Sequence, residues 1–428
     1  MDNIAAERFW KPDLSFPSLS EDDLRLFGKD VGIQDIMKAL FSIGSFKAPR
    51  PDGFQSIFFQ KFWYVLQPHV CKMVLNFFDT GIMPPKLNDT LISLIPKIAI
   101  PETIRQFRPI GLCNVTYKII SKILVKKIKP LLNKLVSLMQ SSFIPGRQTS
   151  DNIVVVQEIL HSFRQRKSNL GGYIWKIDLE KAYDRVKWDF LNEVLVEMGL
   201  LSKWISLIMT CVSSVSMTVL WNGEKTSNFK PERGLRQGDP LSPYLFGLCM
   251  EKLNHMIQDS VANSEWTPVK TSRAGLTISH LFFADDLLLF SKASINQLAV
   301  VWSCLQNFCK WSGLKVNNDK FKIMLLANTL ASIKHSIQKH APICITQDLG
   351  KYQGVPLIHS RISKNTYQEI CSKLQSKLAG WKLSSLSLAG RATLIQASAS
   401  TIPVYTMQTK KFIVSICNFI DKVQRDFF

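Results

Sequence analysis

Three aspartates are the residues of this 428-residue chain whose types and spacing could do chemistry. Asp178 ends a stretch from Tyr173 in which Trp175 and Ile177 point one way and Lys176 and Asp178 the other. That period of two marks a half-buried strand delivering a carboxylate to one face. Asp285 and Asp286 follow 107 residues after Asp178 and lie between the apolar runs Ile278 to Phe283 and Leu287 to Phe290, which predict a hairpin with Ala284-Asp285-Asp286 at its tip. If the two elements are neighbours in a sheet, three carboxylates converge. Unpaired carboxylates at such range repel one another. The chemistry that uses them is two-metal phosphoryl transfer, in which rigid anionic oxygens hold two ions about 3.5 to 4 Å apart. Taken singly, an Asp-Asp pair is common in turns and Asp178 could cap a strand end, so only the combination is informative.

The elements that must position these groups can be read from periodicity. The first ninety residues read as helical: Ile36, Leu40 and Ile43 share a face before Gly44, and Ile57 to Phe78 is an apolar-aromatic run interrupted by Pro68, with a loop at Lys47 to Gly53 between them. Thr90 to Pro96 predicts a strand, followed by an extended connection to Pro109. A helix then carries Ile119, Ile120, Ile123, Leu124 and Ile128 on one face. On another, Lys118, Lys122, Lys126 and Lys129 could line a nucleic-acid backbone or face water. A helix through Trp188 and Leu195 follows Asp178. Val215 to Leu220, Asn222-Gly223 and an extended segment to Gly234 predict a second hairpin. Beyond Pro356 two helices keep Tyr367, Ile370, Cys371, Leu374 and Leu378, then Ile416, Phe419, Ile420, Val423 and Phe427, in register. The order suits an α+β fold with helical flanks.

Composition narrows the partner. Lys plus Arg exceed Asp plus Glu by 53 to 33, giving a net charge of +20 that argues for a polyanion, nucleic acid ahead of an acidic membrane. Residues 1 to 96 carry 10 basic and 11 acidic side chains, whereas 97 to 147 carry 10 and one, and 351 to 428 carry 11 and three. Two basic blocks could form the walls of a groove for a phosphate backbone, or two solvated surfaces. Nine cysteines without a Cys-x-x-Cys pair, and an N-terminus bearing Asp2, Glu7 and Arg8 without an apolar signal core, fit a reducing compartment. The uncharged stretch Ile205 to Gly223 holds six Ser or Thr and ends in a turn signal, so it reads as a helix running into a strand and no membrane span is expected.

A series of motifs in one order then carries a resemblance: KAPRPDGF at 47 to 54, LIPK ending at Lys97, FRPIGLCN from Phe107, YKIISKIL from Tyr117 and SSFIPGRQTSDNI from Ser141. It continues with IDLEKAYDRV from Ile177, RGLRQGDPLSPYLF from Arg233, FFADD ending at Asp286, GLKVNNDK ending at Lys320 and YQGVPL from Tyr352. In these the chain resembles the reverse transcriptases of plant non-LTR retrotransposons of the LINE type. The resemblance implies a right-hand fold of fingers, palm and thumb with an antiparallel palm sheet. It divides the chain into an N-terminal helical extension (1–89), fingers and palm (90–356) and a helical thumb-like region (357–428) in which the family pattern is expected to continue past the last residue. It implies RNA-directed DNA polymerase activity with two Mg²⁺ ions, Mn²⁺ substituting, on an RNA template, a DNA primer or target DNA and dNTPs, and action in the nucleus. Asp178, Asp285 and Asp286 would be metal ligands together with the backbone of Leu179. Lys97 and Arg108 would grip the triphosphate. Tyr183 would crowd the sugar 2′ position, or pack on the palm; Gln237 and Gly238 would lie beside the templating pair, and Lys320 would act as general acid near the leaving pyrophosphate, or be a solvated turn lysine.

Several positions depart from the family pattern. Arg50 stands where Gly is usual and is expected to strain its loop, Gln353 where Leu is usual and is expected to weaken the hairpin that supports the primer, and Lys410-Lys411 where Leu-Pro is expected. No endonuclease is expected ahead of the polymerase region. The alternative functions are a truncated, inactive element remnant with only nonspecific RNA binding, a group II intron maturase, and an RNA-dependent RNA polymerase, which Tyr183 disfavours.

Overall fold

The strand ending in Asp178 is the middle of a five-stranded sheet. The computed structural model describes residues 12–165, 171–271, 275–326, 329–333, 335, 345–357 and 364–428; Asp2, Glu7 and Arg8 lie outside the described residues. The strands are β1 (Asp89–Pro96), β2 (Phe107–Cys113), β3 (Gly172–Asp178), β4 (Ser216–Trp221), β5 (Glu224–Lys225), β6 (Val269–Lys270), β7 (Thr277–Ile278), β8 (His280–Phe283), β9 (Asp286–Lys292), β10 (Lys322–Leu325), β11 (Ile345–Thr346), β12 (Lys351–Tyr352) and β13 (Val355–Pro356). The helices used below are α1 (Glu21–Gly28), α2 (Ile33–Phe41), α3 (Ser56–Lys61), α4 (Trp63–Thr80), α5 (Val115–Leu135), α6 (Thr149–Gln165), α7 (Ala182–Arg185), α8 (Trp188–Glu197), α9 (Ser202–Ser213), α10 (Ser242–Ala262) and α11 (Ile295–Ser312).

The central sheet runs β11-β10-β3-β9-β8, antiparallel except where β11 joins β10 in parallel. Its two faces follow the period of two. Ile174, Leu288 and Phe290 face α6 and the β12–β13 hairpin in one core, while Tyr173, Trp175, Ile177, Leu287 and Leu289 enter the larger core with α5, α8, α10 and α11. That larger core also takes in Phe27, Ile36, Leu40, Val74 and Phe77, so the N-terminal helices share the interior of the sheet domain. A third core, with Leu374, Phe412, Ile416 and Ile420, belongs to the C-terminal helices.

The second sheet, β2-β1-β4-β5, contains a strand that the sequence reading treats as an extended connection. Phe107 to Cys113 pairs antiparallel with β1 over seven residues despite Pro109. β2 is an edge strand, where a residue without an N–H leaves no ladder bond unmade. Pro68 likewise does not interrupt its helix: α4 runs through it, and the break falls at Phe62. The second hairpin is shorter than expected, since after Asn222-Gly223 only Glu224 and Lys225 form a strand, with one further bridge between Met217 and Phe229.

The lysine row of α5 does not face a free groove. Lys126 pairs with Asp35 at 2.6 Å, Lys122 donates to the Ser42 carbonyl at 3.1 Å, and Lys129 lies over the Tyr244 ring. Lys127 donates to the Phe27 carbonyl at 3.1 Å and Lys134 pairs with Asp23 at 2.7 Å. Much of the first basic block therefore docks the N-terminal helices, supplying their carbonyl ends and acidic first turns with cations. Exposed pairs of this kind contribute about 0 to 1 kcal/mol each, so they set orientation while the apolar face of α2 supplies the adhesion. The eight described cysteines are unpaired, and among the described residues no helix is long and apolar enough to cross a membrane.

Helix α10 crosses the interior with most of its residues buried, including Glu251. Burial pushes the Glu251 carboxyl up to about 7, against hydrogen bonds from the Ser137 backbone and Asn254 that favour its ionised form; its Oε2 has no hydrogen-bond partner. The folded state thus holds a proton that the unfolded chain releases near the ordinary glutamate value. Stability should fall as pH rises from about 4.5 to 7 and stay low above. Glu251→Gln is expected to resist urea better than the wild type at pH 8, by on the order of 1 to 3 kcal/mol. That advantage should close toward pH 5 when unfolding is followed by circular dichroism.

Candidate active site

Pairing of β3 with β9 sets Asp178 directly opposite Asp286, on the face that also carries Lys176. Asp285 sits one residue earlier, in the two-residue turn from β8, so Asp286 starts its strand where the sequence reading put both aspartates in the tip. Ala284 takes a φ of +53°, a conformation that costs a non-glycine residue, and its N–H is held by the Ser142 hydroxyl at 2.8 Å. The turn is therefore clamped from below while its carboxylates are left at the surface of the sheet.

The electrostatics register the convergence. Burial raises the Asp285 carboxyl above the usual range, and the charge of Asp178 raises it further, with Lys320 and Arg108 opposing. Asp286 is raised by burial and by both other aspartates, with Lys176 and a Gln353 hydrogen bond opposing. Asp178 accepts from Lys320 Nζ at 3.3 Å and from Asn317 Nδ2 at 3.0 Å. Those donors come from the segment after α11, which clasps the end of β3 through Glu180 N to the Lys315 carbonyl and Asn317 N to the Asp178 carbonyl. Between those two bonds Leu179 forms a bridge with Val316. In such a pair Leu179's own N–H and C=O turn away from Val316, toward the side on which β9 lies.

As the side chains stand, no group of three His, Cys, Asp or Glu among the described residues is set to hold a metal ion. Lys320, Asn317 and Gln353 take up the carboxylate oxygens instead. The donor chemistry still fits a hard divalent cation: three carboxylates that repel one another, and a backbone carbonyl turned to their side, are oxygen ligands whose mutual strain an ion would relieve.

Arg108, exposed on β2, carries its charge to Asp285. Lys97 is also exposed, but donates to the Arg105 carbonyl at 3.0 Å, and its charge reaches Asp184. Tyr183, on α7, stacks on Phe246 of α10 at 4.8 Å between ring centroids, with planes 17° apart. Burial, and then the Asp285 charge, push its hydroxyl up, so the ring both packs on the sheet domain and borders the carboxylates. Gln237 and Gly238 lie against β2: the Gln237 carbonyl accepts from Gly111 N at 2.6 Å, and Gly238 has φ +105° with a Cβ position only 2.5 Å from the Gly111 carbonyl oxygen.

Sequence reasoning missed the buried bracket beneath this loop. Arg236 donates to Asn88 Oδ1 at 2.6 Å, to Thr90 Oγ1 at 2.8 Å, and to Asp239 Oδ2 at 3.0 Å, and lies over the Tyr117 ring. Asp239 also accepts from the Tyr117 hydroxyl at 2.6 Å and from Ser121. Tyr117, Ser121, Arg236 and Asp239 fall inside the motifs above, but Asn88 and Thr90 do not, and only the fold brings these three segments to one ion pair. It missed Asn317 and Gln353 as neighbours of the carboxylates as well, whereas Lys176 stands on the face of Asp178 as its alternation predicts. Gln353, expected to weaken its hairpin, instead ties the tip of β12–β13 to Asp286.

The fold belongs to a known class. Residues 95–383 match the family described as Reverse transcriptase (RNA-dependent DNA polymerase), and the chain belongs to it. The fold is the right-hand polymerase fold of that family. Over 96% of the chain and 31% of the relative's length it is 26% identical to the "Transposon TX1 uncharacterized 149 kDa protein" of Xenopus laevis. It is also 26% identical, over 67% of the chain and 25% of the relative, to the "Retrovirus-related Pol polyprotein from type-2 retrotransposable element R2DM" of Drosophila melanogaster. A shorter stretch, 17% of the chain and 12% of the relative, is 40% identical to the "Putative ribonuclease H protein At1g65750" of Arabidopsis thaliana. The chain thus spans a third or less of these relatives' lengths. The long matches are with proteins of non-LTR retrotransposons from frog and fly, which leave the plant assignment without support of its own.

Removing the cation of the buried bracket strands the Asp239 charge. Arg236→Met is expected to lower stability by about 3 to 5 kcal/mol, whereas the distant exposed Arg25→Met should change it by under about 0.5 kcal/mol, both read from guanidinium unfolding curves.

Proposed function

We propose that this chain is an RNA-directed DNA polymerase that adds dNTPs to a primer 3′-hydroxyl on an RNA template, as in LINE-type retrotransposition of plant lineage. The observation that carries the reading is the convergence of Asp178 with Asp285 and Asp286 at the adjoining ends of β3 and β9. In this reading residues 1–89 are a helical extension, 90–356 the fingers and palm, and 357–428 the thumb-like region.

Asp178, Asp285, Asp286 and the Leu179 carbonyl would hold two Mg²⁺ ions, or Mn²⁺ in their place. When bound, these supply Lewis-acid activation of the primer hydroxyl and charge stabilisation at the leaving pyrophosphate. Arg108, whose charge already acts on Asp285, binds the triphosphate there, and Lys97 meets it from the loop joining β1 and β2. Lys320, 65% exposed and 3.3 Å from Asp178, exchanges that partner for the pyrophosphate and gives it a proton. Gln237 and Gly238, fixed against β2, bring bare backbone to the templating pair. Tyr183, braced by Phe246, occupies the space a ribose 2′-hydroxyl would need.

Primer extension on an RNA template with a DNA primer, dNTPs and Mg²⁺ tests the reading. Asp178→Asn and Asp285→Asn should each abolish extension while template binding persists. A wild type that folds and binds RNA, but extends no primer with Mg²⁺ or Mn²⁺, would leave only a binding function. Tyr183→Val should raise rNTP use relative to dNTP by roughly tenfold or more; an unchanged ratio would remove Tyr183 from sugar selection.

A further inference from the structure

Gln353 occupies a backbone site that its residue type does not explain. It is the first of the two turn residues joining β12 to β13, with φ +50°, and Gly354 follows at φ +80°. A tight turn with left-handed backbone at both positions favours Asn, Asp or Gly, and Gln adopts it at a cost. The side chain accounts for the choice: Nε2 donates to Asp286 Oδ2 at 2.7 Å. From the other side, Tyr405 in the helix Thr401–Met407 donates its hydroxyl to the Gln353 carbonyl at 2.9 Å. The hairpin behind is fixed as well. Tyr352 is buried and accepts from Asn152 Nδ2 at 3.3 Å, and Lys176 Nζ donates to the Leu349 carbonyl at 3.2 Å and to that of Lys351. A clamped turn therefore presents one amide to one carboxylate oxygen.

We propose that Gln353 is a positioning residue for divalent-cation binding: its amide fixes Oδ2 of Asp286 and leaves Oδ1 to the ion, with Tyr405 holding the turn in place. The inference rests on the polymerase reading of the carboxylates. A neutral donor suits the task, because it orients the carboxylate without cancelling the charge that attracts the cation, as a lysine there would. It also joins the C-terminal helices to the site through two consecutive hydrogen bonds, so that the seating of the hairpin governs the geometry of Asp286. Groups standing behind metal ligands in this way typically alter metal affinity about 10- to 100-fold when removed.

The test is Mn²⁺ binding to the purified full chain, followed by electron paramagnetic resonance of the free ion, for the wild type, Gln353→Leu, Gln353→Asn and an Asp178→Asn/Asp285→Asn double variant. Leucine keeps the bulk without the donor. Asparagine suits the left-handed turn better than glutamine but is one methylene too short to reach Asp286, so a folding defect cannot explain its result. Both Gln353 variants are expected to bind Mn²⁺ about tenfold or more weakly, to regain extension at raised Mg²⁺, and to keep the wild-type affinity for primer–template. Wild-type Mn²⁺ affinity in both variants would overturn the proposal, and so would a loss confined to primer–template affinity, which would assign the residue to primer support. A wild type that binds Mn²⁺ no better than the double variant would instead bring down the polymerase reading, and this inference with it.

Discussion

The register of β3 against β9 is the constraint on which the site depends. Because strand side chains alternate faces, Asp178 and Asp286 share a face only while they stand opposite each other. A slip of one residue would turn Asp178 toward Trp175's side of the sheet or set it against an apolar partner. The register is held by burial on both faces: Ile174, Leu288 and Phe290 lock one side, and Trp175, Ile177, Leu287 and Leu289 the other. The apolar flanks that looked like core-filling sequence are thus what fix the place of three charged groups. Their repulsion is tolerated because the surrounding strands do not yield.

Around that pair the molecule is built by clamping loops with polar contacts. Ser142 holds the strained Ala284 turn, the segment after α11 clasps the end of β3, and the Arg236–Asp239 bracket seats the Gln237-Gly238 loop on the edge strand of the second sheet. Burying an ion pair is costly unless every partner is satisfied, and here Asn88, Thr90, Tyr117 and Ser121 complete the network. Such a network contributes less to net stability than to the uniqueness of the arrangement. The two sheets must keep one relation if Arg108 on β2 is to act on Asp285 on the other.

Charge is used twice in this chain. The overall excess of cations marks a polyanionic partner, but on α5 much of it is spent inside the molecule, on Asp23, Asp35 and the carbonyls of Phe27 and Ser42. Lys176 points into the sheet domain and steadies the hairpin after Leu349. Among the described residues, Arg108, Lys320 and Lys176 are cations that act on the carboxylates, and Lys320 reaches both Asp178 and Asp285.

The sequence by itself determined the strand carrying Asp178, the hairpin carrying Asp285 and Asp286, the amphipathic faces of α2 and α5, the two C-terminal helices and the family. These rest on local periodicity or on motif order, which a linear chain displays in full. Tertiary structure alone decided that Phe107 to Cys113 is a strand, since Pro109 is tolerated only at a sheet edge, and that the lysines of α5 have acidic and carbonyl partners some 80 to 111 residues away in the chain. It alone made Gln353 a neighbour of Asp286 and gathered Asn88, Tyr117, Ser121, Arg236 and Asp239 into one network. Those contacts join residues remote in sequence whose types carry no local signal, and their meaning appears only when folding sets donor beside acceptor.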